Sequence, residues 1–193
     1  MAHSPQTNVK CRLKNWKTNE TIFEYTSKRV NSYSEQIKEG LVLAFHENVD
    51  LKFVDLQFAD LFEFNFYNYD LSHANMSYTN LANAKFEKTI LNNVNFSNSN
   101  LWCTHFKSCN LAGSDLSESM FHRTLINKTS VKNVLLDKAN VFRIDAGVNI
   151  VANGIFIPNN TLSKLYPSST FFDTNIGVVR RYDIVNYNLA DIL

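Results

Sequence analysis

VDLQFADLFEFNF, residues 54–66, carries Leu56, Leu61 and Phe66 at intervals of five. Side chains alternate faces in a strand and return to one face every ~3.6 residues in a helix, so neither element explains a period of five. Extending the count both ways gives Leu51, Leu56, Leu61, Phe66, Leu71, Met76, Leu81, Phe86, Leu91, Phe96, Leu101, Phe106, Leu111, Leu116, Phe121, Ile126, Val131, Leu136 and Val141, nineteen apolar positions in succession. In a chain that is 45% hydrophobic, chance yields such a run roughly once in a few million, so internal repetition is the first property to explain.

Two residues before these stands a second, mostly small set: Val54, Ala59, Ala74, Thr79, Ala84, Ser99, Thr104, Cys109, Ser114, Ser119, Thr124 and Ala139. Between the two sets the residue is often Asp or Asn, as at Asp55, Asn65, Asn75, Asn95 and Asp115. Both tolerate turns and bond to neighbouring backbone. A large inward residue, a small inward residue and a turn-capable residue between them describe one side of a square coil of about twenty residues per turn. Stacked turns would pair backbone to backbone at about 4.8 Å. Inward columns should then repeat at twenty residues, as Phe66, Phe86, Phe106 and Ile126 do, and as Leu51, Leu71, Leu91, Leu111 and Val131 do.

The segments FADLF (58–62), LSHANMSYTNLANAKF (71–86) and CNLAGSDLSESMF (109–121) resemble the pentapeptide repeat family, whose pattern is a small residue, Asp or Asn, Leu or Phe, then two variable residues. The resemblance spans residues 47–143. It implies an all-β fold, a right-handed quadrilateral β-helix of about five coils. Phe64 and Tyr69 depart from the pattern at small positions, and Ile90, Met120, Leu125 and Leu135 at Asp/Asn positions, which puts the regularity of those corners in question.

A solenoid exposes both ends of its core, so capping segments are expected. Residues 9–25 alternate on either side of the turn-like KTNE and predict a β-hairpin. Residues 34–45 place Ile37, Leu41 and Phe45 on one helical face behind Ser34 as N-cap, a helix suited to lie over the first coil. Residues 1–46 thus form an N-terminal hairpin and capping helix, 47–143 the β-helix, and 144–193 a β-rich C-terminal cap or interface segment. LKNWKTNETIFEY followed by a short helix and repeats is similar to small phage and prophage members of the family.

Nineteen Lys and Arg against eighteen Asp and Glu exclude a general electrostatic attraction to nucleic acid or membrane. No 18-residue apolar stretch and no signal-peptide pattern occurs, and three cysteines are too few for a disulfide framework, which points to a cytoplasmic protein. Cys103, Cys109, His73, His105 and His122 invite a zinc reading, but the phase of five turns Cys109 inward and scatters the others, so no metal is expected. No Gly-rich phosphate loop, nucleophile elbow or HExxH is present. Neither catalytic residues nor a cofactor are expected.

What remains is surface. Glu47, Asp50, Asp55, Asp60, Glu63 and Asp70 gather in the first coil, opposed only by Lys52, while Arg123, Lys128, Lys132, Lys138 and Arg143 lie towards the other end. The family resemblance implies one use for an acidic coil, since members inhibit or protect DNA gyrase by imitating duplex DNA. A rod of about 23 Å would need about thirteen negative charges to match a duplex. Residues 47–143 carry ten acids and nine bases, so only the acidic end is expected to imitate phosphates. The few bases argue against direct nucleic-acid binding. Phe62, Trp102 and Phe142 share one outward column with Ala82 and His122. They are expected as an apolar interface or as residues covered by the hairpin or tail. The sequence therefore predicts a non-enzymatic module that binds and modulates a host protein, such as a DNA-handling enzyme. The alternative is a structural homodimer built on the aromatic column and the C-terminal segment.

Overall fold

The structure, a computed structural model, describes residues 8–28, 32–131, 134, 135, 139–142, 145, 146, 171–174 and 177–180. β1 (Val9–Lys14) and β2 (Thr21–Ser27) pair antiparallel, with Cys11 opposite Tyr25 and Leu13 opposite Phe23. Alternation along β1 buries Cys11 and Leu13 and exposes Lys10, Arg12 and Lys14. Asn15 shapes the turn, its Oδ1 accepting from the N–H groups of Lys17 and Thr18.

α1 (Tyr33–His46) is capped by Ser32 rather than Ser34. Ser32 Oγ accepts from the Glu35 N–H and the Glu35 carboxylate accepts from the Ser32 N–H, a capping box. Ser34 instead accepts from the Asp60 N–H at 2.7 Å, tying the helix to the coil. Ile37, Leu41 and Ala44 are buried in one cluster with Leu51, Leu56 and Leu61. Gly40 allows α1 to approach the hairpin closely, because a Cβ there would lie 2.8 Å from Tyr25 Cε1.

Short strands follow: β3 (Asn65–Tyr67), β4 (Lys85–Glu87), β5 (His105–Lys107), β6 (Met120–His122), β7 (Leu125–Asn127), β8 (Asn140–Phe142) and β9 (Asp145–Ala146). The backbone pairs in parallel with itself at twenty-residue spacing along four ladders. One joins Asp55, Asn75, Asn95, Asp115 and Leu135, and another joins Asp60, Asn80, Asn100, Met120 and Asn140. The third joins Asp70, Ile90, Asn110 and Ser130, and the fourth is the sheet β3-β4-β5-β7-β9. The register reaches Ala146, one repeat beyond Val141. β10 (Phe171–Thr174) and β11 (Gly177–Arg180) form an antiparallel pair, and the remainder of the expected C-terminal segment lies outside the described residues.

Every fifth residue from Asn48 to Lys128 has a φ between 49° and 72°, yet Gly113 is the one glycine among them. A left-handed conformation costs a non-glycine residue on the order of 1–3 kcal/mol. The corners offset this with hydrogen bonds. At ten of them the Asp or Asn Oδ1 accepts the backbone N–H two residues on, as Asp60 does from Phe62. Ile90, Met120 and Leu125 lack that oxygen but keep the ladder pairing and the positive φ of the corners that follow, at Asn93, Arg123 and Lys128, while Leu135 keeps its pairing and the corner after it lies outside the described residues. Their side chains point outward.

Inside, Phe86 stacks between Phe66 at 4.5 Å and Phe106 at 5.0 Å. The small column is more than a spacer. Thr79, Thr89, Thr104, Ser114, Thr124 and Thr129 each donate a hydroxyl to the carbonyl 23 residues earlier, so coils are joined by inward side chains as well as by backbone. Of the two large residues at small positions, Phe64 packs on Phe66 with ring centres 4.6 Å apart, and Tyr69 fills the junction with α1. The Tyr69 ring lies 4.6 Å from Phe45 and its hydroxyl donates to the Leu41 carbonyl at 3.3 Å.

Candidate interaction surface

With the interior filled, the side chains available to a partner are those at the Asp/Asn position and at the two variable positions of each repeat. The acidic residues named from sequence occupy three different sides of the first coil. Asp50 and Asp70 share one column, Asp55 lies on the next side, and Asp60 with Glu63 on the third. They make a girdle rather than a single patch. Glu47 is exposed at the C-cap of α1.

The aspartates are also built into the fold. Each of the four accepts a corner N–H. Asn75 Nδ2 donates to Asp55 Oδ1 at 3.2 Å and Asn80 Nδ2 to Asp60 Oδ1 at 2.8 Å. Asn100 and Asn95 continue these side-chain ladders upward. An asparagine donates to the rung below and accepts from the rung above. The lowest rung has no further coil beneath it, only the hairpin and α1, and there an acceptor-only aspartate suffices. Lys52 Nζ lies 3.8 Å from Asp50 and 3.5 Å from Asp70, relieving the one place among the described residues where two carboxylates stack. Partial burial opposes ionisation of Asp70, but bonds from Ser72 and Lys52 outweigh it and hold its carboxyl below the ordinary range.

Phe62 and Trp102 flank Ala82 along their ladder, as the bonds Glu63 N–H to Ala82 O and Asn83 N–H to Trp102 O show. Phe62 is 41% and Trp102 39% exposed, while Ala82 between them is buried. The backbone of Phe142 pairs with His122 in the same ladder, and its side chain lies outside the described residues. The hairpin covers a different edge. Trp16 Nε1 donates to the His73 carbonyl at 2.7 Å, beside the stacked pair Phe53 and His73. On another corner Phe58 stacks on Tyr78 with both rings largely exposed.

A family model described as pentapeptide repeats matches in eight copies over residues 50–87, 65–102 and 89–127. Residues 50–127 match the pentapeptide repeat family. No curated protein sequence matches it. Among solved structures, trypsin-treated QnrB1, a plasmid-mediated fluoroquinolone resistance protein, is 20% identical with a TM-score of 0.44, over 52% of this chain and 49% of that one. This chain thus spans about half the length of that relative. The pentapeptide repeat protein Rfr23 from the cyanobacterium Cyanothece 51142 is 23% identical with a TM-score of 0.36, over 42% and 63% of the two chains. The pentapeptide repeat protein alr5209 from Nostoc Pcc 7120 is 17% identical with a TM-score of 0.36, over 67% and 84%.

Viewed as pentapeptide repeats, the outer faces sort charge around the coil. Linear order suggests an acidic and a basic end, but Lys85, Lys88, Lys107 and Lys128 all fall on the side formed by β3, β4, β5 and β7, and all are exposed. Among the described side chains Glu87 is the acid on that face, and it pairs with Lys107 at 2.9 Å. Lys88 Nζ bonds the Tyr67 hydroxyl at 3.1 Å and lies over its ring, and its pKa is raised by that bond. Numbering charges modulo twenty would have revealed the face from sequence. Lys132, Lys138 and Arg143 lie outside the described residues.

Among the described residues no three His, Cys, Asp or Glu side chains come together as metal ligands. Cys109 is buried at a small position, its thiol bonded to the Phe86 carbonyl, and burial pushes its pKa up to about 11. Among the described residues no helix is long and apolar enough to cross a membrane.

Proposed function

We propose that the chain is a non-catalytic protein-binding module that modulates or inhibits a host protein, with a DNA-handling enzyme as the class of target, and that it acts in the cytoplasm. The observation that carries this reading is the division of labour in each repeat. Inward positions are occupied by packing and bonding, while Phe62 and Trp102 stand partly exposed on hydrogen-bonded rungs whose backbone is already ordered, which lowers the entropic cost of binding. Phe142 extends this column in sequence. Glu47, Asp50, Asp55, Asp60, Glu63 and Asp70 supply an acidic contact that imitates a few phosphates rather than a duplex.

Affinity capture from bacterial lysate tests the acidic contact. The variant Asp50→Asn, Asp55→Asn, Asp60→Asn, Asp70→Asn removes four charges and keeps every Oδ1 that the corners need. A partner retained by the wild type and lost by this variant supports the reading; equal retention removes the acidic girdle from it.

A further inference from the structure

Charge is arranged on opposite sides of the square, and this goes beyond the host-partner reading. The side formed by β3, β4, β5 and β7 carries Lys85, Lys88, Lys107 and Lys128 against Glu87. Two corners away, the ladder from Asp55 to Asp115 and its adjoining corner carry Asp55, Asp115 and Glu118 with no basic residue among the described positions. The same side holds the exposed Phe58 and Tyr78 stack. Both faces are flat parallel ladders with the same rise per coil, so charges on one can stay in step with charges on the other over several rungs.

We infer that the basic face of one copy docks on the acidic, aromatic face of a second copy of this chain. Lys88 and Lys128 stand two rungs apart on one corner column, and Tyr78 and Glu118 stand two rungs apart on the opposite one. With two copies antiparallel, Lys88 meets Glu118 while Lys128 lies over the Tyr78 ring. The chain already contains such a pairing, Lys88 over Tyr67 with Nζ 5.3 Å from the ring centre. The contact is heterologous, since each copy uses one face and leaves the other free, so association continues past the dimer. The charges are exposed, and salt screens them.

Sedimentation of the full chain at low and high salt tests this. Wild type is expected to form species larger than a dimer at low salt and to dissociate at high salt. Lys88→Glu with Lys128→Glu, and separately Asp55→Asn with Asp115→Asn and Glu118→Gln, should each weaken self-association roughly tenfold. Both sets lie outside the core, and far-ultraviolet circular dichroism checks that they fold. Mixed one to one, the two variants should form a dimer and stop there, because each keeps the face that the other lacks. A wild type that is monomeric at low salt overturns the inference, as does either variant self-associating like wild type, or a mixture without dimers. Loss of host-partner capture moves none of these readouts, so the two readings fail separately.

Discussion

Phe86→Ala removes the middle ring of the inward stack. Phe86 is fully buried, 4.5 Å from Phe66 and 5.0 Å from Phe106, with interplanar angles of 1° and 11°. Truncating a buried Phe costs about 3–5 kcal/mol, and the cost should fall at the upper end here because rigid coils on both sides resist collapse into the cavity. Two stacking contacts also vanish, each contributing about 0.5–1.5 kcal/mol beyond area burial. Phe58→Ala is the control, because it deletes the same atoms at a corner where the ring is 66% exposed and keeps one stacked neighbour. Its cost should stay below about 1 kcal/mol, as for other surface changes. Urea unfolding followed by circular dichroism gives both values. Equal costs for the two substitutions would refute the inward and outward assignment that the period of five provides.

Gly113→Ala forces a Cβ onto Asn93 Oδ1 at a φ of 72°. It should cost about 1–3 kcal/mol, partly restored in thermal melts by adding Asn93→Gly. Asn80→Asp loses the donor to Asp60 and stacks two carboxylates, so it should destabilise by about 1–2 kcal/mol in urea titration, whereas Asp60→Asn should change little. The Asp70 carboxyl has a folded pKa below its unfolded value, so its contribution is present above the unfolded pKa and fades as pH falls through the folded one. Acid titration of stability should show that loss in wild type and not in Asp70→Asn. Burial pushes the Tyr69 phenol up to about 12 from an ordinary value of 10, so its contribution holds below the unfolded pKa and is lost between these two values as pH rises. Tyr69→Phe should be flatter than wild type over that alkaline window.

The coil was legible because a side chain facing a narrow interior has one direction to point, and nineteen apolar residues in phase leave one periodicity. Other features needed the register first. The donor role of Thr79 or Thr104 is visible only once the carbonyl 23 residues earlier is known to lie beneath it. Phe53, Phe58 and Tyr78 at positive φ run against local preference, and each is held there by donating its N–H to the coil above, to Ser72, Ser77 and Ser97 respectively. Ser32 was legible and missed: Glu35 three residues on marks the capping box, while Ser34 merely stands nearer the apolar stripe. The lysine face escaped a linear reading because its members are separated by whole turns of the coil.

Binding and stability measured together on Phe62→Ala with Trp102→Ala test the central claim most directly. If the outward column is a docking surface on a self-sufficient coil, partner capture from bacterial lysate is lost while the urea midpoint moves little. Capture that survives the double substitution, or an unfolding midpoint that drops as far as that of Phe86→Ala, would contradict the account.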